Sequence, residues 1–456
     1  MENVKNPLAT ERTGKLIAKF AIPAIISMLV SSLYNIVDQI FIGQGVGMLG
    51  NAATNIAFPV SIICTATALF LGIGSASNFN LESGAGNQKR ANSIVGTGLF
   101  MLTVCGLLIA VTVLLFLNPL LQVFGVTEEI LPYAQDYLGI TAFGIPFLVL
   151  TTGGNHLIRA DRSPTYSMTC MLTGAVINTV LDPLFIFKFH WGIKGAAWAT
   201  VIGQVVSGII VIVYFAKFRH LDLRPDMLKP KAKNIKAIAS LGMASCINQI
   251  AMAVVQITMN NTLRHYGAAS MYGADIPLAC VGVISKVNMV FMAICIGTSQ
   301  GCQPIWGFNY GAKNYGRVRE VYRKAFLISM TVGIVFFLCF QLFPRQIVSI
   351  FGTGTEEYFH FAERYFKIFM MMTFINGIQP MCSGFFTSIG KAKLGIVVSL
   401  TRQVIFLLPL ILIFPVFMGI DGVMYAGPIA DTAAAAVAIG FSVKELKKMG
   451  DSYERA

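Results

Sequence analysis

The sequence predicts an all-α membrane protein in which twelve transmembrane helices form two parallel six-helix bundles around a central cleft. Three observations favour this fold class: the composition, the length of the apolar stretches and an internal repeat. Of the 456 residues, 55% are hydrophobic and only 12% are charged, whereas a soluble domain usually has about twice that charged fraction. Most of the chain is therefore expected to face lipid or protein instead of water.

The apolar stretches predict the twelve helices in order. A helix needs about 20 apolar residues to cross a hydrocarbon core of about 30 Å. No long pattern of alternating polar and apolar residues favours a membrane β-barrel, so helices are the expected spanning elements. The stretches are 15–45, 54–79, 93–117, 130–158, 164–187, 194–216, 236–263, 276–302, 322–343, 358–389, 395–417 and 422–443.

The distribution of positive charge predicts the topology. The net charge is +13, but Lys and Arg are concentrated at the termini and in the even-numbered connections. The odd-numbered connections contain only Lys188, Lys194, Arg264 and Arg345. Positive residues accumulate on the cytoplasmic side of a membrane. The bias therefore predicts a multi-pass membrane protein with both termini in the cytoplasm, and it argues against nucleic acid as a partner.

An internal repeat divides the chain into two halves with an offset of 227 residues, apart from a one-residue insertion near Thr355. The matching pairs are 123–138 with 350–366, 83–92 with 310–319, and 192–199 with 419–426. We expect an N-terminal six-helix lobe at 1–216, a basic cytoplasmic linker at 217–236 and a C-terminal six-helix lobe at 237–456. Each half has an even number of spans, so both halves have the same orientation, which is typical of transporters that use alternating access.

Two acidic residues lie inside predicted spans of the first half. Asp38 belongs to the stretch LYNIVDQIFIG, in which Tyr34 precedes it by four residues and shares its helix face. The stretch NTVLDPLF places Asn178 and Asp182 four residues apart. An ionised carboxylate in hydrocarbon costs several kcal/mol, so it is expected to be paired, protonated or bound to a cation.

The proline that follows the second acid adds a possible oxygen ligand. Pro183 has no N–H, which leaves the carbonyl of Thr179 without its helical partner. Carbonyl, carboxylate and amide oxygens suit a hard cation such as Na⁺, and Asn155 and Thr200 offer further oxygens. The same carboxylates can take a proton instead, and no tightly bound metal is expected. The alternative reading is that both acids only form hydrogen bonds between packed helices.

Five weaker polar positions lie in the predicted spans of the second half. Each is a candidate for lining the predicted cleft, and the lysine is also a candidate partner for an acid. Snorkelling or a structural ion pair is the alternative role for such residues. The five are Asp431, Lys286, Arg402, Gln403 and Gln249.

Motifs of other functional classes are absent from the sequence. No GxxxxGK[ST] motif indicates an ATP-driven pump, and the five histidines lack the spacing of a catalytic metal site. The nine cysteines form no CxxC pair. A membrane-embedded enzyme is therefore disfavoured, and no cofactor is expected.

The order and spacing of several motifs resemble the MATE (multidrug and toxic compound extrusion) family over essentially the whole chain. These motifs are LYNIVDQIFIG at 33–43, GAGNQKRA at 84–91, NTVLDPLF at 178–185 and GAKNYGRV at 311–318. The stretch SQGCQPIWGFNYGAKNYGRV at 299–318 is similar to the bacterial DinF-like and MepA-like branch.

The resemblance implies a cation-coupled exporter in which Na⁺ or H⁺ enters as a small organic, often cationic, compound leaves. In the branch that the chain resembles, a cluster in the N-terminal half handles the cation. The positions that match this cluster are Asp38, Asp182, Asn178, Tyr34, Asn155 and Thr200. Another branch uses an acid in span 7, where this chain has Gln249. The family precedent favours a monomer, and a flippase of a lipid-linked precursor is the alternative function.

Overall fold

The computed structural model describes residues 6–273, 275–350 and 355–454. Every regular element in these ranges is helical. The first half contains α1 (Pro7–Thr10), α2 (Thr13–Gly45), α3 (Met48–Gly84), α4 (Gln88–Leu115), α5 (Leu117–Val123), α6 (Leu131–Thr141), α7 (Ile145–Ala160), α8 (Pro164–Pro183) and α9 (Gly192–Val213). The second half contains α10 (Ala232–Ala268), α11 (Asp275–Gly311), α12 (Tyr315–Leu342), α13 (Pro344–Ser349), α14 (Glu356–Phe369), α15 (Thr373–Asn376), α16 (Ile378–Ser388), α17 (Ala392–Leu400), α18 (Leu408–Met418) and α19 (Ile420–Glu454).

Short non-α turns join or extend these helices. Ala142–Gly144 and Pro225–Leu228 form 3₁₀ turns. The wider π-helical turns are Leu184–Lys188, Tyr214–Phe218 and Thr401–Leu407. Within the described ranges, eleven helical segments are long and apolar enough to cross a membrane. The prediction of an all-α membrane fold is therefore confirmed.

The tenth predicted span, 358–389, is the one that differs from expectation. It is divided into α14, α15 and α16, so no continuous helix of spanning length covers it. At the first break the hydroxyl of Thr373 donates a hydrogen bond to the carbonyl of Met370 at 2.6 Å. The same carbonyl also accepts the backbone N–H of Thr373 at 3.2 Å. Such tightening to a bond between residues three apart is a common way for a helix to end.

The chain forms two compact units whose boundaries fall inside helices. The N-terminal unit comprises Ile22–Cys246, and the C-terminal unit comprises Met1–Ala21 together with Ile247–Ala456. Helices α2 and α10 therefore each contribute residues to both units. The lobes at 1–216 and 237–456, with their linker at 217–236, remain a division predicted from the sequence.

The start of the chain packs with helices of the second half. Arg317 donates to the carbonyl oxygens of Leu8 at 3.2 Å and of Glu11 at 2.6 Å. Asn309 donates to the same carbonyl of Leu8 at 3.0 Å. These bonds explain why the first residues belong to the C-terminal unit.

The linker segment is held against α4 in the N-terminal unit. The buried amide of Asn234 donates to Ser93 Oγ at 3.0 Å and to Thr97 Oγ1 at 3.1 Å. Asn92 donates to the carbonyl of Asp222 at 2.8 Å. The hydrophilic stretch that the sequence marks as a linker is therefore an ordered part of this unit.

Backbone geometry repeats between the halves at the spacing of the sequence repeat. Gly86 and Lys313 lie 227 positions apart and have φ values of 82° and 57°. Gly192 and Gly419 have the same separation and φ values of 56° and 60°. Left-handed backbone is rare outside glycine, so its recurrence at these turns supports the duplication. Part of the repeated stretch 350–366, namely residues 351–354, lies outside the described residues.

Candidate functional site

The candidate site is built around the end of α8. Asp182 is fully buried and stands directly before Pro183, the last residue of the helix. The chain then continues into the π-helical turn Leu184–Lys188. Proline removes a backbone donor and prevents a regular continuation, and π-helical turns occur frequently at functional sites. Regular α-helix therefore ends at this proline, and the role of the Thr179 carbonyl as an ion ligand stays a prediction.

Asn178 connects Asp182 to α9. The amide orientation that satisfies both neighbours donates to Asp182 Oδ2 at 3.1 Å and accepts from Thr200 Oγ1 at 3.2 Å. Asn178 and Asp182 share one face of α8 because they are four residues apart. The structure thus brings these three predicted site residues together.

Asp38 on α2 completes a carboxyl pair. Its side chain is buried, and its carboxyl group lies close to the carboxyl group of Asp182. Its Oδ1 atom is buried without a hydrogen-bond partner among the described protein atoms. Two carboxylates at this separation repel each other unless a proton or a cation lies between them. The pair is therefore suited to exchanging one positive charge.

Two tyrosines lie beside the carboxyl pair. Tyr34 precedes Asp38 by one helical turn and is close to both acids. Tyr137 of α6 lies near the same three residues, and its ring packs on the apolar cluster that contains Ile42. Sequence reasoning identified Tyr34 but not Tyr137. A tyrosine inside an apolar stretch carries no spacing signal that marks it as polar lining.

Asn155 is not brought to the carboxyl pair. It is buried on α7, where its Oδ1 accepts a hydrogen bond from Ser167 Oγ at 3.0 Å. Ser167 lies near the start of α8, eleven residues before Asn178, which corresponds to about 16 Å along a helix. Because α7 and α8 are joined by a short turn, Asn155 faces the beginning of α8. A contribution to the same ion site stays a prediction.

The donor set of the site consists of oxygen atoms. The carboxyl oxygens of Asp38 and Asp182 form the centre of this set. The Thr200 hydroxyl and the Asn178 amide add further oxygens beside them. Such ligands suit Na⁺ or a proton and not a soft transition metal. Within the part of the chain that the structure describes, no group of three or more His, Cys, Asp or Glu side chains forms a candidate metal site.

The predicted polar residues of the second half have a different arrangement. Asp431 on α19 accepts a hydrogen bond from Arg402 Nε at 2.5 Å; the aspartate is buried and the arginine side chain is 11% exposed. Arg402 belongs to the π-helical turn Thr401–Leu407. The structure therefore places this acid in an ion pair with an arginine.

The other three polar candidates show no such pairing. Gln403 and Gln249 are half-buried, whereas Lys286 is exposed. Among the described residues, no carboxylate lies within ion-pair distance of Lys286. The suggestion that this lysine neutralises an acid therefore finds no partner, and a role of all three in a cleft stays a prediction.

Comparison with known protein families gives one match over most of the chain. A family model described as MatE matches residues 23–184 and 244–413. The multidrug export protein MepA of Staphylococcus haemolyticus is 24% identical over 429 residues, covering 93% of this chain and 92% of that protein. A Staphylococcus aureus MepA is 25% identical over 431 residues with the same coverage.

Solved structures share the fold. One, described as the outward-facing conformation of a multidrug resistance MATE family transporter of the MOP superfamily, gives a TM-score of 0.91 at 23% identity. It covers 99% of this chain and 100% of that one. A MOP superfamily transporter from Pyrococcus furiosus gives a TM-score of 0.90 at 22% identity with the same coverage.

Proposed function

The chain belongs to the MatE family, and on that premise we propose that it is a secondary active multidrug exporter. It exchanges Na⁺ or H⁺ for small organic compounds, often cationic, by alternating access. Its relatives of nearly equal length are named as multidrug export proteins, not as enzymes. The eleven candidate spans place it in a membrane as a multi-pass protein. We further propose a bacterial cell membrane, cytoplasmic termini and a monomer as the working unit.

The observation that carries this proposal is the carboxyl pair of Asp38 and Asp182. Both side chains are buried, and they belong to different helices, α2 and α8. Buried ionisable residues in membrane spans are expensive, and they commonly mark ion pathways. Binding of a cation or proton relieves the repulsion between the two carboxylates, whereas its release restores it.

Coupling follows from this charge change. A ligand shifts a conformational equilibrium only by its difference in affinity for the two states. If the cation-loaded pair favours one state and the exported compound favours the other, entry of the ion drives exit of the compound. Two local features lie next to the carboxyl pair and respond to its change in charge. They are the π-helical turn after Pro183 and the hydrogen bond between Asn178 and Thr200.

The test uses purified protein in proteoliposomes loaded with a fluorescent organic cation such as ethidium. A Na⁺ gradient and a pH gradient are imposed separately, each with the other ion balanced. We expect one gradient to drive efflux and the other to have little effect. Efflux that is independent of both gradients would overturn the proposal of secondary coupling.

A flippase of a lipid-linked precursor remains the competing function in this test. Recognition of a pyrophosphate requires unpaired basic side chains. Of the two basic residues predicted to line the cleft, Lys286 and Arg402, the arginine is already paired with Asp431. Competition of ethidium efflux by organic cations but not by lipid pyrophosphates is the result expected for an exporter.

A further inference from the structure

A long apolar groove runs along one face of α4 in the N-terminal unit, and it is separate from the carboxyl pair. Its volume is about 630 Å³. Leu99, Leu107 and Leu114 line it from α4, and Phe147 of α7 lines the opposite wall. From Leu99 to Leu114 the helix rises by about 22 Å. That length is about half of a bilayer of 40–45 Å including headgroups, and so about one leaflet.

Close helix contacts form the floor of the groove. A Cβ at Gly106 of α4 would lie 2.9 Å from Pro146 Cα, and a Cβ at Gly208 of α9 would lie 2.7 Å from the ring of Phe147. The buried Ala110, one helical turn after Gly106, lines the groove. Small residues let helices approach closely in membranes. The helices that form the base of the groove are therefore closely packed, whereas the side chains along its walls, such as Leu107, are exposed.

One end of the groove carries a positive charge. Of the described side chains that line it, Arg219 is the charged one, and its guanidinium donates to the carbonyl of Phe215. Two acids of this region have other partners: Asp161, just after α7, faces His220, and Asp222 of the linker pairs with Arg224. Arginine has five donors, so most of its hydrogen-bonding capacity is left for a ligand.

The linker segment closes this same end. Leu223 and Leu228 line the groove, and a Cβ at Gly96 of α4 would collide with the carbonyl of Met227. Residues 217–236 contain seven Lys or Arg and two Asp. A basic segment next to a membrane attracts anionic lipid. The groove thus combines an apolar trough of leaflet length with a positive end.

We propose that this groove binds an acyl chain of an anionic phospholipid whose phosphate is held by Arg219. Arginine binds phosphate through two parallel hydrogen bonds. The bound lipid bridges α4, α7, α9 and the linker, and so stabilises the linker against the N-terminal unit. This inference does not depend on the proposed transport function, because it concerns a different set of residues.

The test measures thermal unfolding and lipid retention by native mass spectrometry on the full chain in detergent. Phosphatidylglycerol is expected to bind and to raise the unfolding temperature more than phosphatidylcholine. Arg219→Gln is expected to weaken phosphatidylglycerol binding by about tenfold or more, because a charge-assisted hydrogen bond is worth about 1.5–3 kcal/mol. Arg224→Gln is the matched control, because that arginine is exposed and paired with Asp222. This variant should bind phosphatidylglycerol as the wild type does.

A second variant keeps the proposal testable if Arg219→Gln unfolds. Thr103→Phe fills the trough from an exposed lining position, and it should abolish retention of phosphatidylglycerol. Equal binding of both lipids, or unchanged binding by Arg219→Gln and Thr103→Phe, would overturn the proposal. Ethidium is tested in the same way. If the wild type retains ethidium, Thr103→Phe loses it and neither lipid displaces it, the groove is a drug site and the lipid proposal is overturned.

Discussion

The buried carboxylate of Asp431 forms an ion pair with the largely buried Arg402, with 2.5 Å between Oδ1 and Nε, although they are 29 positions apart in the chain. Removing one partner of a buried pair leaves the other charge uncompensated, which costs about 3–5 kcal/mol. We therefore expect Asp431→Asn to lower the free energy of unfolding by about that amount. Thermal unfolding in detergent is the measurement.

The double variant Asp431→Asn with Arg402→Gln is expected to recover part of the lost stability. Glu356→Gln is the matched control, because it breaks the exposed pair of Glu356 with Arg345, and exposed pairs contribute little. A normal unfolding temperature for Asp431→Asn alone would show that Arg402 has another partner or an outlet to water.

Neutralising either member of the carboxyl pair is expected to abolish coupled export. Asp38→Asn and Asp182→Asn remove the negative charge that attracts the ion while keeping a side chain of similar size. Gradient-driven efflux should fall to the level of empty liposomes, and the unfolding temperature should stay near that of the wild type. Asp226→Asn in the linker is the control and should transport normally. Full transport by both Asp38→Asn and Asp182→Asn would remove the ion-site assignment.

The Thr200 hydroxyl is expected to tune ion affinity through Asn178. Thr200→Val keeps the shape but leaves the buried Asn178 oxygen without a hydroxyl donor, which costs about 1–3 kcal/mol. We expect the ion concentration for half-maximal efflux to rise by about tenfold, which corresponds to about 1.4 kcal/mol. Thr200→Ser retains the hydroxyl and should behave like the wild type. Equal ion dependence in the two variants would contradict a role for this contact.

The contact between α3 and α7 is expected to tolerate no added methyl group. A Cβ at Gly72 would lie 2.5 Å from Gly153 Cα and 2.6 Å from its carbonyl oxygen. Backbone cannot move aside cheaply, so Gly72→Ala should destabilise the protein by about 1–3 kcal/mol. Gly282→Ala is the control, since a Cβ there has no neighbour within 4 Å, and it should be neutral or slightly stabilising. Similar unfolding temperatures for the two variants would disprove the close approach.

The hydrogen bonds of Asn234 that hold the linker against α4 are expected to contribute to the stability of the protein. Asn234→Ala removes two buried hydrogen bonds, to Ser93 and Thr97. The loss should lower the free energy of unfolding by about 1–3 kcal/mol and increase proteolysis within 217–236. Asn118→Ala removes one exposed hydrogen bond with Gln135 and should leave both properties unchanged. Unaltered protease resistance in Asn234→Ala would mean that other contacts hold the linker.

The sequence predicts the membrane fold and the centre of the site because both depend on local pattern. Spans follow from runs of apolar residues, and the spacing of Asn178 and Asp182 places them on one helix face. The association of Asp38 with Asp182 follows from the family resemblance and the cost of burying a charge. The spans and the shared face of α8 need no knowledge of how separate helices are aligned, and for the carboxyl pair the family resemblance supplies that knowledge.

Features that depend on the alignment of distant helices are not visible in the sequence. Asn155 lies beside Ser167 because the turn between α7 and α8 fixes which residues face each other. The pairing of Arg402 with Asp431 depends on the relative position of two helices that no local spacing sets. The break after Met370 is likewise hidden, because no proline marks it, although the Met370 carbonyl accepts both the hydroxyl and the N–H of Thr373.

The first residues of α2 belong to the C-terminal unit, and the first residues of α10 belong to the N-terminal unit. Dividing the gene at the linker would therefore separate parts of each unit. A coding sequence divided at the linker would give an upstream polypeptide without Asn234, and a downstream polypeptide without Leu8 and Glu11, the acceptors for Arg317. Neither polypeptide would carry every segment of a compact unit. Each is expected to be degraded when expressed alone, whereas co-expression of both should restore a stable product by complementation.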